Sequence, residues 1–196
     1  MRTRNTMGFF GKIALVLTVI SLVSCTASKL IDIYFDPNMD LGAVRTAAVM
    51  PFDNLTREQM AADRVRDVFI NKLLSTGEIY VVPSGEVKRG ILLLGISNPS
   101  SPSTEETVKL ASLIKVDVII TGTVREYGEV RSGTTSANII SLSLQMIEGL
   151  SGKIIWTASS TKGGISTKDR LLGGGGRPMN DVTEEAVNDI LNKFFF

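Results

Sequence analysis

The groups in this 196-residue chain best suited to chemistry are one cysteine, Cys25, and a few clusters of charge; there is no histidine. Imidazole is the commonest metal ligand and the usual acid–base group at neutral pH. Its absence excludes a Ser-His-Asp triad, a Cys-His pair and every His-containing metal site. A single cysteine also excludes a disulfide within the chain. Two acidic pairs remain, Glu105-Glu106 and Glu184-Glu185. Each falls in the first turn of an expected helix, where a carboxylate favours the positive end of the helix dipole. Neighbouring helical positions also point apart, which is poor geometry for sharing a proton. Arg125, Glu126, Glu129 and Arg131 read as a solvated strand end and loop, with a partner-facing patch as the alternative. The run Gly173–Gly176 is followed by Arg177-Pro178 rather than the Lys-Ser/Thr of a phosphate loop, so it reads as a flexible segment that a partner could order. The sequence therefore predicts no catalytic residue, no cofactor-binding residue and no metal ligand.

The surroundings of Cys25 give its thiol a different use. Met1 to Gly11 is basic and free of acid, and Ile13 to Val23 is an apolar run of 11 residues softened only by Thr18 and Ser21. A helix needs about 20 apolar residues to span a bilayer, so this is the pattern of a signal peptide. The run closes in Leu22-Val23-Ser24-Cys25. That tetrapeptide resembles the bacterial lipobox, with a hydrophobic residue three before the cysteine and a small one directly before it. The resemblance implies diacylglycerol on the Cys25 sulfur, cleavage before it and acylation of the new amino terminus. Several acyl chains satisfy the rule that stable anchoring needs more than one. Thr26, rather than Asp, after the cysteine leans toward the outer membrane.

Cleavage would leave 172 residues, enough for one domain with a sizeable core. It removes three basic residues and no acidic one, turning a formal charge of +1 into −2. No basic stretch points to nucleic acid. The expected organisation is a signal peptide over 1–24, a lipidated tether over 25–40 and an α/β domain over 41–196.

Hydrophobic periodicity supplies the elements that position everything else. Lys29 to Phe35 has some strand character. Val44 to Met50 reads as a buried strand closed by Pro51, with a turn at Asp53-Asn54. Ala61, Val65, Phe69 and Leu73 mark a helix from Glu58 to Ser75, capped by Gly77. Glu78 to Pro83 is a short strand, and Ser84 is the expected cap of a helix running to about Leu94. Ser103 and Glu106 have capping-box spacing for a helix through Ile114. Val116 to Val124 is rich in β-branched residues. Ile139 to Ile147 and Lys153 to Ser159 alternate as an antiparallel hairpin. Val182, Ala186, Val187, Ile190, Leu191 and Phe194 mark a last helix, capped by Asn180 or Asp181. Phe195 and Phe196 either pack locally or cover a neighbouring subunit. The order β-α-β-α-α-β-β-β-α predicts an α/β (α+β) fold, a mixed sheet with helices packed on it.

Three segments carry a family resemblance. Ala47 to Leu55 (AAVMPFDNL) resembles the first strand and turn of CsgG-like and TolB-amino-terminal-like domains, Leu113 to Gly122 their helix–Asp–strand–Gly segment, and Leu142 to Trp156 their paired late strands. The chain departs from the family at Val81-Val82-Pro83-Ser84-Gly85, where a charged pair is common, and at Glu148, where Asp is common. CsgG itself carries two inserted membrane hairpins and forms an oligomeric secretion channel. The corresponding places here are Tyr127 to Ala137, polar and too short for two membrane strands, and Gly163 to Pro178, which lacks alternation. The resemblance implies a compact relative without pore hairpins, similar to the lipoprotein activators of peptidoglycan synthases. The expectation is a non-enzymatic, lipid-anchored scaffold or accessory factor facing the periplasm, bound to other envelope proteins, with a homo-oligomer left open, serving secretion, curli-type assembly or cell-wall machinery. The alternatives are a channel subunit and a carboxylate-dependent hydrolase.

Overall fold

The computed structural model describes residues 33–165 and 176–195. Cys25, the signal peptide and most of Gly173–Gly176 lie outside them, as does Phe196. In chain order the elements are β1 (Ile33–Phe35), β2 (Thr46–Val49), β3 (Asp53–Asn54), α1 (Ala61–Thr76), β4 (Tyr80–Val81), α2 (Ser84–Leu94), α3 (Thr104–Ile114), β5 (Val118–Ser132), β6 (Thr135–Glu148), β7 (Ile154–Gly163) and α4 (Met179–Phe195).

All seven strands join one mixed sheet in the order β1-β7-β6-β5-β2-β4, with β3 beside β5. The pairs β2/β4, β2/β5 and β3/β5 are parallel; β5 to β7 and then β1 are antiparallel. This is the predicted mixed α/β fold. The parallel half must be covered on both faces, because helical crossovers return the chain over it. Alternation along β2 meets that demand. Ala47 and Val49 face the core formed with α1 and α4, while Ala48 and Met50 face the one formed with α2 and α3.

Each helix shows why it forms. Ala61, Val65, Phe69 and Leu73 recur every fourth residue and are fully buried along α1, which ends at Gly77 in the left-handed conformation (φ 71°). Ser103 and Glu106 cap α3 reciprocally, as their spacing predicts. On α4 the expected residues Val182, Ala186, Val187, Ile190 and Leu191 are buried, and the Phe194 ring meets Trp156 edge-on at 5.4 Å.

Four expectations need correction. The segment from Tyr127 to Ala137 is not a loop: β5 and β6 continue through it as one ribbon, paired out to Ser132 and Thr135. Gly133 (φ 62°) holds the first central position of its two-residue turn, where a type II′ hairpin requires glycine. Asp53-Asn54 is a two-residue strand, and the chain turns after it, where the Asn54 side-chain oxygen accepts the Thr56 N–H at 3.1 Å. Asn180 and Asp181 lie inside α4, which starts at Met179, so neither caps it. Ser84 is likewise the first residue of α2, and Pro83 stands at its cap position without a side-chain bond. The strand character of Lys29 to Phe35 corresponds to edge strand β1, so the sheet takes in part of segment 25–40.

Candidate functional site

A large, partly apolar groove lies where α2 and α3 meet the β4 edge. Three consecutive leucines, Leu92 to Leu94, cannot share one helix face. On α2 the core-facing positions go to Val87, Gly90 and Ile91, which leaves Leu92 and Leu93 at 71% and 68% exposure. The two helices approach closely because Gly90 has no side chain; a Cβ there would stand 2.6 Å from Leu110 Cδ1 and 3.1 Å from Ile114 Cγ2. The contact places Leu93 across from Leu113, itself 46% exposed, and opens a cavity of about 530 Å³ between them and Tyr80.

Polar groups rim this groove. Arg89 and Glu86 line it from α2, 4.0 Å apart, and Lys115 lines it at the end of α3. Lys115 holds a left-handed backbone (φ 56°), the only non-glycine residue to do so among those described. That conformation ends α3 and turns the chain into β5. Thr46 also lines the groove and is held in place by Asp117, the residue directly before β5. Its carboxylate accepts hydrogen bonds from the backbone N–H of Arg45 (2.9 Å) and Thr46 (2.8 Å). Desolvation opposes ionisation of Asp117, yet these backbone donors and the Thr46 hydroxyl prevail and hold it below the usual aspartate range.

β4 is a sheet edge. Tyr80 N–H and Val82 N–H donate to β2-side carbonyls, which leaves Val81 N–H and C=O facing away from the sheet. Pro83 follows and has no N–H to extend that edge. At the other edge, β1 presents Tyr34 and Phe35 at 47% and 41% exposure.

Comparison with known proteins bears on the fold. No family model matches the chain, and no curated protein matches it in sequence. Solved structures do. PelC from Paraburkholderia phytofirmans, a dodecamer, superposes with a TM-score of 0.54 at 15% identity, covering 82% of this chain and 95% of that one. Lipoprotein GNA1162 from Neisseria meningitidis gives 0.53 at 19% identity, covering 76% and 99%. The hypothetical protein CT253 from Chlamydia trachomatis gives 0.50 at 12%, covering 77% and 95%. The chain has the fold of a known bacterial lipoprotein. No helix among the described residues is long and apolar enough to cross a membrane.

The charged residues singled out in the sequence do not converge. Glu105 pairs with Lys109 at 2.6 Å, and Glu106 closes the capping box of α3. Glu184 pairs with Lys72 at 2.7 Å and Glu185 with Arg177, both from α4. The two acidic pairs thus sit on helices packed on opposite faces of the sheet. Arg125, Glu126, Glu129 and Arg131 line the β5 arm, with Arg131 and Glu129 paired at 2.9 Å. Asp189, between Lys162 (3.0 Å) and Lys193 (2.9 Å), is the most perturbed carboxyl. Burial opposes its ionisation, but the two ammonium groups win and lower its pKa to about 2. Among the described residues no group of three Asp, Glu, His or Cys side chains could hold a metal. Gly176 lies against the β6 arm, where a Cβ would stand 2.6 Å from Ala137 Cα. Phe195 packs locally, edge-on to Phe194 at 4.7 Å.

The groove is the part that sequence reasoning missed. Its only local signal was the run Leu92 to Leu94, an apolar excess that one helix cannot bury.

Proposed function

We propose that this chain is a lipid-anchored envelope lipoprotein of CsgG-like type that works without catalysis, by binding other proteins through its α/β domain. The observation that carries the reading is the groove of Tyr80, Leu93 and Leu113, three large apolar side chains held in water by secondary structure. The lipobox-like Leu22 to Cys25 and the fold it has in common with lipoprotein GNA1162 support the anchor. Lipid on Cys25 holds the domain at the outer membrane, facing the periplasm. PelC forms a dodecamer, which supports self-association as one mode of use.

A channel built from the chain's own hairpin fits less well. The β5–β6 ribbon has the length of a membrane hairpin, but the arm beyond Val124 carries Arg125, Glu126, Glu129 and Arg131, so it lacks the apolar row a lipid-facing strand requires. Hydrolysis by carboxylates also lacks support, because Glu184, Glu185 and Asp189 are each occupied by a cation.

Isolation of the tagged chain at native abundance from detergent-solubilised envelopes tests the proposal. It predicts stoichiometric co-isolation of other envelope proteins or further copies; a protein that emerges alone and monomeric overturns it.

A further inference from the structure

We infer that the cavity between the face of strands β5 and β6 turned away from α4 and the loop leading into α3 binds a neutral sugar ring. It shares no residue with the groove beside β4.

The cavity exists because the helices cover the sheet unevenly. On one face α4 packs over β6 and β7. On the other, α2 and α3 bury Ala48, Met50, Ile119 and Ile147. Beyond these the same face turns polar. Thr121 and Thr123 of β5 stand opposite Gln145 and Ser143 of β6, and Asp53 of β3 stands beside Thr123. The loop from Ser100 to Pro102 closes one side and leaves a space of about 200 Å³.

Polar side chains on an open antiparallel face ordinarily meet water. Thr121 does not fit that account. It is only 7% exposed, it lines the cavity, and its hydroxyl makes no hydrogen bond among the described residues. A hydroxyl so placed is costly until something in the cavity bonds it. The side chains of Thr123, Ser143 and Gln145 likewise make no hydrogen bond among those residues. Asp53 accepts the neighbouring Asn54 N–H at 3.1 Å and forms no ion pair among them.

The lining selects the ligand. Hydroxyls and the Gln145 amide both donate and accept, whereas the Asp53 carboxylate only accepts. An anion would meet Asp53 with no cation in the lining to offset it. A cation would use Asp53 and leave the Gln145 amide donors idle. An apolar ligand would strand every hydroxyl. A ligand whose groups each donate and accept meets the whole set, and two adjacent O–H groups can reach both oxygens of one carboxylate. That is the chemistry of a sugar ring. The space is smaller than the roughly 300–1,000 Å³ of drug-sized sites, which limits it to one ring. Pro102 and Ile147 supply apolar surface for the ring's C–H groups.

The test uses the full-length chain purified from membranes in a detergent without a sugar headgroup. Saturation-transfer NMR is recorded against glucose, N-acetylglucosamine and glucosamine. The expected result is saturable binding of the two neutral sugars with a dissociation constant on the order of 1 mM, ordinary for so small a ligand. Thr121→Val keeps the side chain's shape and removes its hydroxyl, so it should weaken binding about tenfold without lowering the unfolding midpoint. Asp53→Asn should weaken it similarly. If Thr121→Val does lower the midpoint, Gln145→Ala, at an exposed position, takes its place in the comparison. A tetrasaccharide of N-acetylglucosamine separates the sources: binding as tight as that of the single ring assigns the site to a residue within a glycan, weaker binding to a free sugar. No saturable binding, or binding unchanged in the folded variants, overturns the inference. Glucosamine bound about tenfold tighter than glucose also overturns it, since an ammonium on Asp53 would then be the ligand group.

Discussion

Asp117 and Thr46 are joined by three hydrogen bonds: the Asp117 carboxylate accepts the Thr46 backbone N–H at 2.8 Å, and the Asp117 N–H donates to the Thr46 hydroxyl at 2.9 Å and to the Thr46 carbonyl at 3.1 Å. These bonds tie Asp117, directly before β5, to Thr46, the first residue of β2, one step ahead of the Ala47–Val118 pair, and so fix the register of the parallel core. Asp117→Ala should destabilise the domain by about 1–2 kcal/mol, the cost of leaving two backbone donors without their acceptor. The folded-state pKa lies below the ordinary one, so this stability is present above the ordinary aspartate pKa and is lost as pH falls through the folded value. The difference in unfolding midpoint between parent and variant should therefore narrow in acid, as a denaturant titration at several pH values would show.

Asp189 should behave the same way over a lower window. Its pKa of about 2 means that its bonds to Lys162 and Lys193 persist until the medium is strongly acid. Asp189→Asn should cost at most about 2 kcal/mol near neutrality, discounted for its partial exposure. That cost should fade between about pH 4 and pH 2. A difference that grew on acidification would contradict the assignment.

Gly90→Ala tests the groove's foundation. The new methyl would stand 2.6 Å from the buried Leu110 Cδ1 and 3.1 Å from Ile114 Cγ2, so the α3 side chains or the helix itself must shift. Overpacking of this kind costs about 1–3 kcal/mol, partly offset by the better helix propensity of alanine, about 1 kcal/mol. Partner retention should fall more than the unfolding midpoint does, since the groove's width depends on the contact. Both are measurable on the same preparation.

Cys25→Ser tests the anchor. The variant should lose the acyl chains and either leave the membrane or remain uncleaved, visible as a change in fraction or in mass by spectrometry. A processed variant that stays firmly in the outer membrane would contradict lipid anchoring.

Much of this architecture is legible in the residues. Strand Val118 to Val124 follows from its β-branched run, α1 from apolar residues every fourth position, and the start of α3 from Ser103 and Glu106. What escapes depends on distant partners. The arm beyond Val124 has few apolar residues on either face, and its pairing to β6 comes from register carried outward from the core past a bulge at Arg125. Two-residue β3 exists only because β5 runs beside it. The groove joins residues from Thr46 to Lys115, and its apolar character appears only when α2 and α3 have taken their core-facing residues inward. Cys25 is the opposite case: the expectation of lipid there rests wholly on the residues beside it.

Leu93 and its neighbours are proposed to hold a protein partner. The direct measurement is quantitative co-isolation from detergent-solubilised envelopes with parent and Leu93→Asp chains at equal abundance. Leu93 is 68% exposed, so its replacement should leave stability within about 0.5 kcal/mol. The parent should emerge with stoichiometric partners or further copies and Leu93→Asp folded and alone; equal retention by both chains, or a solitary monomeric parent, would contradict partner binding at the groove.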